Sequence, residues 1–278
     1  MNKWLGTRFV EHGAVYISAL ILCSFSLIPV LWGLVTSLKP ENMVYVQPPR
    51  WIPNPIDFSH YTGILESKMT RYFLNSSVIA AGATLFSLII GVMAAYGFSR
   101  FKFPGRNLLL WSIVFSKLFP RVVIIVPFYI TLRNLQLLGT YRGLILVYLI
   151  VILPVAVWLL KGFVDNLPRE VEEAAVIDGC SVFSLLWRIV IPITLPAIAA
   201  VAMYSFILAW NEFLFALVFS SAGTRPISVG LAFFIDESGV RWGDLMANSI
   251  VMSLPAIIIF SLGQKYLVQG LSDGAVKG

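Results

Sequence analysis

The chain has 278 residues, of which 58% are hydrophobic and 12% charged, and its formal net charge is +6. A soluble domain carries about 25% charged residues, so this composition excludes an ordinary soluble fold and places the chain in a membrane. In that setting the positive balance suits anionic lipid headgroups, and no nucleic-acid partner is expected.

Crossing a bilayer takes about 20 mostly apolar residues as a helix. Six stretches meet that requirement, near Val15–Ser37, Phe73–Phe98, Leu108–Leu132, Gly143–Leu160, Leu195–Phe219 and Ala247–Leu267. The stretch "LILVYLIVILPVAVWLL" is apolar all round, which argues against the alternation of a barrel strand. Helices satisfy their backbone hydrogen bonds internally, so the expected fold is all-α, a polytopic membrane protein with six transmembrane helices. Residues 1–71 are read as an N-terminal tail, first helix and outer loop, 72–268 as the membrane core, and 269–278 as a cytoplasmic tail.

The first run is too long for the apolar part of a signal peptide and lacks a small-x-small cleavage site, so it reads as a retained helix. The linker Ser99–Asn107 holds three basic residues and no acid, which favours the cytoplasm. Six crossings then put both termini in the cytoplasm. Lys39, Arg50, Lys68 and Arg71 fall on the other side, so the bias is modest. Cys23 and Cys180 lie at different depths and are not expected to pair.

Between the first two spans, "QPPRWIPNPIDFSHY" carries four prolines, which disfavour regular helix and suit a stiff surface loop or a docking surface. In the second span Gly82, Gly91 and Gly97 suit close helix packing. The third span is interrupted, with Lys117, Pro120, Arg121 and Pro127 in "FSKLFPRVVIIVPF". Ionisable groups within a span are functional candidates. Lys117 and Arg121, one turn apart, either line a translocation path or pair internally. Asn211 and Glu212 in "AWNEFLFAL" pose the same alternatives. Trp210 and Tyr204, with Trp111 and Tyr129, either stack on a sugar ring or serve in packing.

The segment 163–192 between the fourth and fifth spans differs from everything around it. Glu170, Glu172, Glu173 and Asp178 gather there, with Asp165 near its start, although the whole chain has only 14 acidic residues. Asp165 or Asn166 is a candidate N-cap and Pro168 suits a first turn. Glutamates near that start favour the helix dipole. Val171, Ala174 and Ala175 share a face. Gly179 is placed to stop the helix in a left-handed conformation, and Ser181 to start a second short helix ending at Pro192. The reading is a cytoplasmic helix–turn–helix, either a solvated connector or a docking knob for a soluble partner.

Its spacing resembles the EAA loop of permease subunits in ATP-binding-cassette importers. Glu173-Ala174-Ala175 is followed after three residues by Gly179, after nine more by Ile189, and by Ile191-Pro192 where Leu-Pro is usual. "SFILAWNEFLFAL", "GLSDGAVKG" and the second span with its linker resemble the carbohydrate-importing branch, the maltose permease type in particular. The resemblance implies a second permease subunit, a cytoplasmic ATPase dimer, an external solute-binding protein and a sugar or oligosaccharide substrate, in a bacterial or archaeal inner membrane. It assigns coupling to the ATPase to Glu172, Glu173, Ala174, Ala175, Asp178, Gly179, Ile189 and Pro192. Glu173 would contact the partner, while Glu172 mainly supports solubility and the helix start. The loop Ser220–Met246 would reach the binding protein, and Gly274–Gly278 the ATPase.

No phosphate-binding G-x-x-x-x-G-K-[ST] loop occurs, so ATP and Mg belong to the partner and no cofactor to this chain. His12 and His60 are the only histidines, and no H-E-x-x-H or metal-ligand cluster appears, which weighs against a membrane-embedded enzyme and predicts no catalytic or metal site. A passive channel would need no coupling helix. Within the transporter class, an anionic solute such as glycerol phosphate or a uronate oligomer is the alternative to a neutral sugar, because Lys117 and Arg121 suit an anion.

Overall fold

A computed structural model describes the backbone of residues 2–236 and 239–275, and the side chains of residues 13, 15–235 and 239–265. Among the described residues, five helices are long and apolar enough to cross a membrane, and a bent pair makes a sixth span when counted as one. The chain divides into two compact units.

One unit comprises Met1–Thr70 with Leu231–Val251. Its first element, α1 (Asn2–Ser37), is a single long helix whose apolar side chains from Val15 to Leu34 stand largely exposed. Two short helices follow, α2 (Glu41–Val44) and α3 (Ser59–Glu66), on either side of the proline-rich stretch, which forms no regular element. Trp32 meets Trp51 edge-on at 4.8 Å, and the Lys39 ammonium lies 4.3 Å from the Trp32 ring. Ile235–Asp236 and Gly239–Val240 pair as two short antiparallel strands.

The second unit comprises Arg71–Gly230 with Met252–Gly278. It holds nearly all of α4 (Met69–Arg100). The third span is α5 (Arg106–Phe115), a 3-10 turn at Ser116–Leu118, and α6 (Arg121–Asn134), with 104° between the two halves. The cause is Pro120. It forces Phe119 into an extended conformation and has no N–H to continue the first helix. Lys117 and Arg121 therefore stand on two sides of a break, and do not share one face of a continuous helix.

Next comes α7 (Tyr141–Asp165), buried along much of its length through Leu144, Val147, Tyr148, Val151, Ile152, Val157 and Leu160. Against it α4 comes very close. A Cβ at Gly82 would lie 2.7 Å from Ile145 Cδ1, and one at Gly91 would lie 3.1 Å from Leu160 Cδ1. Gly97 has nothing within 4 Å of its would-be Cβ, so close packing is not its role.

After α8 (Arg169–Ile177) the chain runs through α9 (Val182–Leu185), a π turn at Leu186–Val190 and α10 (Ile191–Trp210) as one membrane-length helix. The expected stop at Pro192 is not there. Pro192 sits in the first turn of α10, and the wide π turn before it absorbs the missing donor. The span also ends earlier than Phe219. The chain turns after Trp210, and α11 (Leu214–Phe219) starts anew with the Glu212 carboxylate accepting from Phe215 N at 3.1 Å. A short α12 (Ile227–Leu231) precedes α13 (Trp242–Ala275), which extends beyond both ends of the expected last span. Helix thus continues into the expected tail as far as Ala275, and residues 276–278 lie outside the described residues.

Candidate coupling loop and intramembrane polar cluster

The helix α8 follows Pro168, which occupies its N-cap position without a side-chain bond. Asp165 does not cap it. Its carboxylate accepts from Ser99 Oγ at 2.6 Å and from Lys161 Nζ at 2.5 Å at the end of α7. Gly179 ends α8 with φ +83°, the left-handed conformation that its position calls for. Ser181 Oγ then accepts from Ser184 N and starts α9.

The buried side of α8 is not the one suggested by small residues. Glu172 and Ala175 face inward, three residues apart, while Glu173, Ala174, Val176, Ile177 and Asp178 are exposed and Val171 is 42% exposed. Ala175 joins an apolar cluster with Tyr96, Leu160, Val164, Leu185 and Val190, and Ile189 packs beside it. Glu172 is no solubility charge. Arg100 Nε donates to its Oε1 at 2.7 Å, and Tyr96 Oη to its Oε2 at 3.2 Å. Both ionic side chains are about nine-tenths buried, at 10% and 11% exposure. The correction has a simple cause: the partners that draw Glu172 inward sit on α4, far away in sequence.

Burial of that face leaves an outward crest of mixed character. Glu173 and Asp178 supply charge, while Val176, Ile177, Val182 and Phe183 present apolar surface. Ile177 and Phe183 were missed by the sequence reading. Their signal was available, since two large apolar side chains in a segment expected outside the membrane mark a contact surface. A cleft of about 410 Å³ opens beside the crest, lined by Tyr96, Arg100, Arg169, Glu172, Glu173 and Ile177 among others.

The second site lies among the spans. Glu212 is buried at 4% exposure. Arg121 Nη1 donates to the Glu212 Oε2 at 3.0 Å, and the Glu212 backbone carbonyl accepts from Ser228 Oγ at 2.9 Å and Tyr148 Oη at 3.4 Å. Lys117 Nζ donates to the Val151 carbonyl of α7. The sequence-predicted ionisable residues are thus brought together, and Glu212 is consumed by structure. Arg121 remains half-exposed beyond its ion pair. Trp210 is buried, donates Nε1 to the Met252 carbonyl at 2.9 Å, and packs on Phe73 and Phe206. Its indole is committed to packing. Asn211 bonds back to the Ile207 carbonyl of its own helix, and Tyr204 is exposed along α10.

In the other unit, His60 is buried between two acceptors. Nδ1 lies 2.7 Å from Asp244 Oδ1 and Nε2 lies 3.1 Å from the Lys39 carbonyl. Burial pulls its pKa down, but the Asp244 and Lys39 bonds and the charges of Asp244 and Glu41 outweigh that and leave it raised. Among the described residues, no group of three or more His, Cys, Asp or Glu stands close enough to hold a metal ion.

Long apolar helices, with a polar break in one span and a charged helical pair carried between two others, make the chain a polytopic helical membrane protein. Residues 87–273 match the family of binding-protein-dependent transport system inner membrane components. The chain belongs to that family. It is 34% identical to the sulfoquinovosyl glycerol transport system permease of Agrobacterium fabrum over 95% of this chain and 93% of that one. It is 31% identical to a diacetylchitobiose uptake permease of Streptomyces coelicolor over 94% and 96%, and 32% identical to the trehalose/maltose permease of Thermococcus litoralis over 94% and 95%. In fold it is similar to a bacterial transporter involved in import of the acidic polysaccharide alginate, with a TM-score of 0.78, 24% identity and coverage of 94% and 96%. The chain is therefore a multi-span component of a transport system that works with a binding protein.

Proposed function

We propose that this chain forms half of the translocation path of an ATP-driven importer for a sugar or oligosaccharide. A second permease supplies the other half, an ATPase dimer bearing ATP and Mg drives the cycle from the cytoplasm, and an external binding protein delivers the solute. The termini lie on the cytoplasmic side. The observation that carries the reading is the crest of α8. Its inner face is locked by Glu172 and Ala175, while Glu173, Val176 and Ile177 are presented outward next to an open cleft. A solvated connector has no need of such a surface. Glu173, Ala174 and Asp178 meet the ATPase, and Gly179 sets the turn that presents them. Relatives named for sulfoquinovosyl glycerol, diacetylchitobiose and trehalose/maltose transport support a carbohydrate as the solute.

In the cycle, closure of the ATPase dimer displaces α8, and the attached spans reorient around the path. Arg121 is the ionic side chain best exposed for a role in that path, because Glu212 and Lys117 are held by structural partners. Co-expression with the neighbouring permease, ATPase and binding protein tests the reading. The expected outcome is a purified complex whose ATP hydrolysis rises when sugar-loaded binding protein is added. ATP hydrolysis by the isolated chain, or conduction of sugar by this chain without ATPase, would refute it.

A further inference from the structure

Arg100 and Glu172 are 72 residues apart in sequence, yet their side chains meet at the point where α4, α7 and α8 converge. The guanidinium uses all its nitrogens. Nε and Nη2 hold Glu172 Oε1 at 2.7 and 2.6 Å, Nη2 also donates to the Val164 and Leu167 carbonyls at 2.9 and 3.2 Å, and Nη1 donates to Ser99 Oγ at 3.1 Å. Val164 lies in the last turn of α7, where a cation is favoured, and Leu167 in the connector that leads from α7 to α8. Ser99 passes the connection to Asp165 of α7, and Tyr96 holds the second oxygen of Glu172. Apolar contacts among Tyr96, Leu160, Val164 and Ala175 close the junction from behind.

We infer that Arg100 is a positioning residue for coupling: its guanidinium clamps α4, the end of α7 and α8 into one rigid body, so that displacement of α8 moves both spans together. This rests on the reading of α8 as the surface that meets the ATPase. A loop tied only through its chain ends would bend when pushed. Here the push reaches α4 through an ion pair that is almost fully buried, and the end of α7 through the Val164 carbonyl and that of Leu167 in its connector. Lysine cannot substitute, because a single ammonium lacks the planar fork that meets a carboxylate and two carbonyls at once.

The test uses the assembled complex in lipid nanodiscs, with Cys23→Ala and Cys180→Ser as background. Spin labels on Lys102→Cys and Glu170→Cys, both exposed positions, report the distance from the α4 linker to α8. With Arg100 present, that distance is expected to stay within about 2 Å between the nucleotide-free and the ATP–vanadate states, the scale separating rigid from rearranged backbones. Arg100→Lys is expected to assemble and hydrolyse ATP, but with a distance that broadens or shifts with nucleotide. The stimulation of hydrolysis by loaded binding protein is expected to fall about tenfold, within the usual range of coupling between sites. Glu172→Gln should do the same, and the double variant should be no worse than either single one. A merely structural role would lower the yield of complex without making the distance nucleotide-dependent. A nucleotide-dependent distance in the Arg100 protein overturns the inference whether or not the variants assemble. An invariant distance in Arg100→Lys overturns it as well. Failure of the Arg100 protein itself to bind the ATPase would overturn the coupling reading beneath it.

Discussion

Glu212 combines two tasks that substitution separates. One oxygen is paired with Arg121 at 3.0 Å and the other accepts the Phe215 N–H at 3.1 Å, while the residue is 4% exposed. Removing one member of a fully buried ion pair costs about 3–5 kcal/mol. Arg121 is 49% exposed, so it keeps contact with its surroundings after the loss, and the ionic part falls to about 1 kcal/mol, nearer a surface pair. The Phe215 N–H has no such outlet. Leaving a buried donor unsatisfied costs about 1–3 kcal/mol. Glu212→Ala removes both and should destabilise by about 2–4 kcal/mol by this sum. Glu212→Gln keeps an oxygen for Phe215 N, so its cost should stay near 1 kcal/mol. Thermal denaturation of the detergent-solubilised chain, followed by the loss of monodisperse protein, ranks the variants. The reasoning predicts Ala well below Gln, and Gln close to the parent. Equal losses would show that the Phe215 bond carries nothing. A stable Glu212→Ala protein with altered solute preference would put Glu212 in the translocation path after all.

Gly179→Val places a β-branched residue at φ +83°, a cost of roughly 1–2 kcal/mol for the left-handed region, and should weaken ATPase coupling while membrane insertion persists; normal coupling would refute the assigned turn. Glu173→Ala should reduce ATPase association in a pull-down with no loss of thermal stability, because the side chain is exposed and Ala favours helix; a stability loss would mean that Glu173 has an internal partner. His60 has both ring nitrogens against acceptors and a raised pKa, so protonation is linked to the folded form. Its stabilising contribution should be complete below its ordinary value of 6.5 and vanish as pH rises through the raised folded value. Melting temperature measured across that interval should fall with pH in the parent and fall less in His60→Gln. Parallel curves would remove His60 from the account.

The spans were legible because their signal is local. A helix in lipid needs length and apolarity and little else, so the α1, α4 and α7 runs announced themselves. The α8 turn was legible for the same reason, since a glycine between two short helical patterns specifies a left-handed residue from its neighbours alone. Features that depend on distant residues were not legible in this way. Pro192 looked like a stop because only its own missing N–H was visible, and the π turn that absorbs it is a property of the assembled helix. For Trp210 the sequence leaves sugar stacking and packing open, and the contacts with Met252, Phe73 and Phe206 are packing ones. Glu172 and Glu173 are adjacent and chemically identical, so sequence could say that one helix carried both but not which was inward. That choice belongs to Arg100 and Tyr96, brought from α4 by the packing of α4 on α7. Composition and periodicity determine membrane residence and helix order, because each residue contributes to them independently. Which charge is buried and which is offered to a partner is a pairwise energy between distant residues, and it has no value until the fold sets their separation.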